Sequence, residues 1–176
     1  MIYSGKFKVT SPFGVRTLSG ASAFHKGVDV VGISDKYICA VVGGTVRTST
    51  IIRDKNNLTW EWGNYVRVDG DDGLIYFYCH MSKRLVKAGQ RVEIGDHLGI
   101  EGNTGYSFGS HCHFEVRDKA GNSLDPSGKL GIPNEIGTYG TDYRKEAAEK
   151  FGLSEHTMKY LDKYEYASAL YRKLVQ

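Results

Sequence analysis

The sequence predicts a mostly β, antiparallel domain of sheet or sandwich type, with a small helical appendage at its C-terminus. Three observations predict it. Between residues 7 and about 126 the apolar residues fall in short runs rich in β-branched and aromatic side chains, the types that suit a pleated, half-buried surface. Glycine- and aspartate-rich turn formers separate these runs at short intervals, and no helical periodicity interrupts them. Near Gly137 the composition shifts towards helix formers.

The strand-like runs are residues 37–42, 44–52, 64–69, 74–79, 91–94, 97–101 and 111–117. Between them lie Gly43-Gly44, the Asp-Gly-Asp-Asp-Gly run at 69–73, Gly95-Asp96 and Gly121-Asn122, which favour tight turns. The division expected is a domain over residues 1–136 and a helical appendage over residues 137–176. In the appendage, residues 143–150 (YRKEAAEK) are rich in helix formers. A second run, from about Ser154 to Leu174, places Met158, Leu161, Tyr164, Ala167 or Ser168, and Tyr171 at helical spacings. Ser154, followed by Glu155, is the expected helix start, with Thr157 as the alternative. The aromatic stripe of these one or two helices is expected to pack on the β domain or on a partner helix.

Composition excludes several classes of function. With 176 residues, 40% hydrophobic and 24% charged, the chain has the make-up of one globular domain with room for an appendage, and not of a disordered segment. A formal charge of +3 without a Lys/Arg block argues against nucleic acid as a partner; it suits an anionic envelope surface as well as a protein with no acidic partner. No segment approaches the ~18 apolar residues that span a bilayer, so membrane insertion is not expected. Residues 1–10 lack the basic-then-apolar layout of a signal peptide. Cys39, Cys79 and Cys112 are odd in number and form no CxxC pair. They read as buried free thiols and not as a disulfide framework or a structural zinc knot.

The histidines carry the functional signal. Four of the six fall in three short groups: His25 with Asp29 in HKGVD, His80 after Tyr78-Cys79, and His111 with His113 in HCHFEVR. Alternate residues of a strand share a face, so His111 and His113 project together. His25 and Asp29, four apart, share a face in either a helix or a strand, and the Gly27-Val28 context favours a loop running into a strand. Two histidines and a carboxylate, with one position left open, suit catalytic zinc better than structural zinc, which takes four ligands and more cysteine. Cys112 lies between the two histidines but on the opposite strand face, which argues against a cysteine hydrolase.

Around these residues the sequence resembles the lysostaphin-like zinc endopeptidases of bacterial and phage cell-wall lysis. The resemblance covers roughly residues 10 to 126. It runs through SPFGVR at 11–16, HKGVD at 25–29, AVVGGTV at 40–46, GNYV at 63–66 and YCH at 78–80. It continues through VKAGQRV at 86–92, GDHLG at 95–99, GNTG at 102–105, HCHFE at 111–115 and Asp125-Pro126. It implies a lysostaphin-like catalytic domain with one zinc ion per chain held by His25, Asp29 and His113. It also implies His80 and His111 as the catalytic pair beside a zinc-bound water: His111 could take the water's proton and His80 could donate to the oxyanion as an imidazolium, with the choice of base between the two left open. The implied substrates are peptide cross-links or cross-bridges of bacterial peptidoglycan. Glu115, two residues beyond His113, is a candidate to orient that ligand. Asn103, Thr104, Tyr106 and Phe108, among Gly102, Gly105 and Gly109, are candidate groove residues. His97 and His156 receive no role. The setting expected is extracellular and facing the cell wall, in a phage tail or lysin assembly, with a bacterial or mobile-element protein that has an upstream export region as the alternative source. The alternative is a wall-binding or structural tail module that kept the fold without hydrolysis.

Overall fold

The computed structural model describes residues 1–17, 19–57, 60–164 and 167–175. The expected antiparallel β architecture is present, and every strand pairing described is antiparallel. Along the main sheet the order is β10 (Arg91–Val92), β6 (Gly44–Ile51), β7 (Asn64–Gly70), β8 (Ile75–Tyr78), β12 (Cys112–Arg117), β4 (Val28–Gly32), β1 (Phe7–Ser11) and β14 (Gly137–Tyr139); β13 (Ser123–Leu124) adds to β12. A three-stranded sheet holds β5 (Tyr37–Cys39), β11 (His97–Ile100) and β9 (Lys83–Arg84), and β2 (Gly14–Val15) pairs with β3 (Phe24–His25) in a hairpin.

β6, β7 and β8 form a meander of sequence neighbours, but β12 inserts between β8 and β4, strands drawn from distant parts of the chain. Hydrophobic alternation selects this register. Cys112, Phe114 and Val116 of β12 and Val28 and Val30 of β4 are buried in one cluster with Phe7, Tyr76 and Tyr78. A one-residue slip would move that whole set to the opposite face. The other face of β12 then carries His113, Glu115 and Arg117. All three cysteines are buried and free, and burial in apolar surroundings pushes the Cys39 thiol up to about 11. Cys112 sits fully buried on the core face, as strand alternation requires.

Gly137–Tyr139, at the start of the expected appendage, adds an edge strand to the main sheet by pairing with β1. Beyond it the chain forms α2 (Tyr143–Phe151), α3 (Glu155–Leu161) and α4 (Ala167–Val175), while the short α1 (Ser127–Leu130) precedes β14. Asp142 caps α2 by accepting from the Lys145 N–H, and Ser154 caps α3 by accepting from the Thr157 N–H. The run expected from Ser154 to Leu174 is therefore two helices. Its periodicity is unbroken, but α4 folds back so that Tyr171 is buried with Met158 and Ala147, and the Tyr171 hydroxyl donates to Asp162 at 2.7 Å. The stripe thus packs mainly within the appendage. Tyr164, expected on it, is exposed, and the Ser168 side chain lies outside the described residues.

One buried carboxylate ties both larger sheets to the N-terminal segment. Glu101, just after β11, accepts from the Tyr3 hydroxyl (2.7 Å), the Gly32 N–H (2.7 Å), Lys36 Nζ (2.8 Å) and Ser110 Oγ (2.7 Å). Burial alone would raise its pKa, but Lys36 and the other three donors hold it below the usual carboxylate range. A carboxylate depressed in the folded state adds stability above its unfolded pKa of about 4.3, and that stability is lost as pH falls through the lower folded value. Glu101→Gln is therefore expected to be less stable than the wild type at neutral pH, with a difference that narrows steadily below about pH 4. Urea unfolding of both proteins across this range measures it, and a pH-independent difference would rule out the ionic contribution.

Candidate active site

The site forms where β12 crosses β4. Their register places His113 directly opposite Asp29, so the two side chains rise together from one face of the sheet. His25 ends β3, and the bend through Lys26-Gly27 brings it over the same spot. A Cβ at Gly27 would run into the Phe114 carbonyl and the Glu115 and His113 side chains, so only glycine allows this close approach.

The imidazole tautomers follow from their outer partners, because a carbonyl or carboxylate can only accept. His25 Nδ1–H donates to the Pro12 carbonyl at 2.8 Å, which leaves the Nε2 lone pair facing inward. His113 Nε2–H donates to Glu115 Oε1 at 3.0 Å, which leaves its Nδ1 lone pair facing inward. His25 Nε2 lies 3.0 Å from His113 Nδ1 and 3.1 Å from Asp29 Oδ1, and His113 Nδ1 lies 2.8 Å from the same oxygen. Three acceptors therefore converge, spaced close to the roughly 3.3 Å edge of a tetrahedron whose bonds are about 2.0 Å long. Such a cluster is repulsive unless a cation or a proton lies among the three atoms. In the metal-free chain a proton can take that place. Burial favours neutral His113, but Asp29 and Glu115 outweigh it and push the imidazole up to about 9. Burial works to raise Asp29 as well, yet His113 and His25 hold its carboxyl well below the usual range.

His111 and His80 stand beside the cluster. His111 Nδ1–H donates to the Gly109 carbonyl at 2.8 Å, and Nε2 lies 3.5 Å from Asp29 Oδ1. His80 Nδ1–H donates to the Thr104 carbonyl at 2.8 Å, and the two rings are 4.7 Å apart between centroids. Both histidines thus keep Nε2 free as an acceptor. His80 is also the one non-glycine residue with positive φ (64°) among those described, a conformation that costs energy unless the surroundings impose it. Burial, then the neighbouring His113 and His111, push it down to about 3. Burial and these neighbours thereby favour the neutral ring over the imidazolium expected of His80.

Glu115, whose side chain could also have faced solvent, is buried and bonded to His113. Sequence reasoning missed the group that makes its burial tolerable. Arg117 donates through Nε (2.7 Å) and an Nη (2.5 Å) to Glu115 Oε2, with its guanidinium over the Trp62 and Phe77 rings. The alternation rule that joins His111 to His113 also places Arg117 on their face, so a signal was present. Arg16 was missed too; it donates to Ser11 Oγ at 2.9 Å and lies 3.5 Å from Asp29 Oδ2.

A groove of about 920 Å³ contains these histidines. Tyr106 and Phe108 line it, together with Phe24 and Trp62. The Tyr106 hydroxyl donates to the Gly20 carbonyl at 2.7 Å, which joins the two loops that lead to His111 and His25. Asn103 and Thr104 are not among the described residues lining the groove. Thr104 is instead a scaffold: its hydroxyl donates to the Met81 carbonyl and accepts from the Asn64 N–H, both at 2.9 Å. His97 is half-buried and stacks on Tyr37 at 4.4 Å, and His156 is exposed on α3; both lie outside the site.

Comparison with known proteins identifies the family. Residues 23–126, more than half of the chain, match peptidase family M23, and the chain belongs to that family. Among solved structures, it is similar to the catalytic domain of the antimicrobial peptidase lysostaphin from Staphylococcus simulans. That likeness has a TM-score of 0.61 at 27% identity and covers 71% of this chain and 92% of the other. Among curated relatives it is 32% identical over 136 residues to the peptidoglycan DD-endopeptidase ShyA of Vibrio cholerae, covering 73% of this chain and 28% of ShyA. It is 29% identical over 112 residues to the murein hydrolase activator NlpD of Escherichia coli, covering 64% of this chain and 27% of NlpD. The chain thus spans about a quarter of the length of these two relatives.

If Glu115 sets the His113 tautomer, its loss should weaken metal capture before it affects anything else. Glu115→Gln is expected to reduce zinc affinity by about 10–100-fold, read by competition with a chromogenic chelator. An unchanged affinity in the folded variant would show that the carboxylate does not orient the ligand.

Proposed function

We propose that this chain is a zinc-dependent endopeptidase that hydrolyses peptide cross-links or cross-bridges of bacterial peptidoglycan. His25, Asp29 and His113 would hold one zinc ion, and His80 and His111 would act on the reacting atoms. The observation that carries this reading is the convergence of three acceptor atoms, two of them imidazole nitrogens whose tautomers are set by outer partners, with two further acceptor nitrogens at the same groove. The donor set, two imidazoles and one carboxylate, suits zinc with an open position.

Zinc bound there supplies a Lewis acid for the scissile carbonyl and lowers the pKa of a coordinated water to about 7. The chain's own residues divide the remaining work. His111, with Nδ1–H anchored on Gly109, offers Nε2 to take a proton from the attacking water and return it to the leaving amine. His80, favoured as the neutral ring, accepts a hydrogen bond from that water and orients it, in place of the donor role that the resemblance implies. The groove, with Tyr106 and Phe108 on its wall, receives an extended peptide.

The relatives named above are wall-acting bacterial proteins. They support work at the peptidoglycan, outside the membrane, and add nothing to a phage tail or lysin assembly. NlpD, an activator by name, marks the alternative of a wall-binding module without hydrolysis, but all five histidine and aspartate positions are present here.

Elemental analysis is expected to find one zinc per chain, lost in His113→Ala together with hydrolysis of purified peptidoglycan. His111→Ala is expected to retain zinc while kcat falls by about 10²–10⁴-fold. Mass spectrometry of the released fragments then names the bond. A chain without zinc that releases no fragments from walls of several chemotypes would leave the binding module.

A further inference from the structure

A second set of interactions acts on His111 from behind the groove. The Gly109 carbonyl that accepts from His111 Nδ1–H belongs to the peptide unit joining Gly109 to Ser110. Ser110 Oγ donates to Glu101 Oε1 at 2.7 Å, and the His111 N–H donates to the carbonyl of Gly102, the residue after Glu101, at 3.0 Å. Ser107 Oγ donates to the same Gly109 carbonyl at 2.9 Å. The Glu101 side chain is fully buried, and Gly32, Lys36 and Tyr3 hold it in place from two other segments. The loop carrying Gly109 and Ser110 is itself exposed, and Ser107, which also bonds the carbonyl, belongs to that same loop, its Oγ 3.3 Å from His111 Nδ1.

We propose that Glu101 is a positioning residue for His111, acting through Ser110: the buried carboxylate anchors the Ser110 hydroxyl, the anchored peptide unit aims the Gly109 carbonyl, and that carbonyl holds His111 in the Nδ1–H tautomer with Nε2 facing the groove. This rests on the reading of His111 as the proton acceptor. A carbonyl free to turn away would let the ring flip or take the other tautomer, and the reacting nitrogen would then present a proton where a lone pair is needed. Glu101 reaches the reaction only through these groups.

The test compares two hydrogen bonds to the same carboxylate. Ser110→Ala removes the one on the loop side, and Tyr3→Phe removes the one on the core side. The zinc-loaded proteins are assayed for kcat and KM on a cross-linked muropeptide and for zinc content, and the metal-free proteins for the His111 tautomer by long-range ¹H–¹⁵N spectra. Ser110→Ala is expected to lower kcat about tenfold with KM and zinc content unchanged, and to mix the His111 tautomers. Ser110→Thr, which keeps the hydroxyl, restores both, and Tyr3→Phe alters neither. An unmixed tautomer in Ser110→Ala, or equal effects of Ser110→Ala and Tyr3→Phe, would overturn the proposal. Absence of hydrolysis by the wild type counts against the endopeptidase reading alone, because the tautomer comparison still decides this inference.

Discussion

The convergence of three acceptor atoms on one point is the interaction around which the rest of the structure is arranged. Two imidazole nitrogens and a carboxylate oxygen about 3 Å apart repel one another unless a cation or a proton lies among them, and the apolar core beneath them offers no solvent to screen that repulsion. The cost is bearable only because strong, separate devices hold each group. Pro12 holds His25, Glu115 holds His113, and the β4–β12 register holds Asp29 opposite His113. The register itself is secured on the other face by Cys112, Phe114 and Val116, whose burial a slip would undo. Core and site are thus two faces of the same pair of strands.

The shells around the cluster repeat one pattern. Each imidazole is tied on its far side to an acceptor, and behind His113, His80 and His111 the group that supplies it is tied again. Behind His113 stands Glu115, held by Arg117, which spreads its charge over two aromatic rings. Behind His80 stands the Thr104 carbonyl, with the Thr104 hydroxyl bonded to Met81 and Asn64. Behind His111 stands the Gly109 carbonyl, and Ser110 and Glu101 behind that. An imidazole can carry its proton on either nitrogen, so a site that needs lone pairs in one place must hold protons in another. The positive φ of His80 belongs to the same logic: its backbone bonds to Trp62 and Thr104 impose a conformation that a free chain would avoid.

Legibility from sequence varied with the range of the interaction. The period-two rule placed His111 and His113 on one face and Cys112 on the other, because those relations are local to one strand. The same rule reached Glu115 and Arg117, although Arg117 was overlooked for want of a partner to give it meaning. Thr104 and Asn103 show the converse. A loop rich in glycine beside the histidines suggested groove contacts, yet Thr104 bonds to Met81 and Asn64, residues 23 and 40 positions away, which no local pattern announces. The break between α3 and α4 is of the same kind, since it answers to burial of Tyr171 against Met158 and Ala147 and not to any stop signal in the run itself.

By itself the sequence determined the antiparallel β class, the helical character of the tail, the Ser154 cap and the shared face of His111 and His113. Each follows from periodicity, turn chemistry or motif over a few residues, where covalent geometry alone sets which side chains share a face. Only the tertiary structure decided that β12 lies between β8 and β4, which sets His113 against Asp29 across 84 positions of chain. It also decided which nitrogen of each imidazole faces inward, that burial favours neutral His80, and that Glu101 is buried and bonded to Ser110. These depend on desolvation and on partners brought from distant segments, and both quantities come into being only when the chain closes on itself.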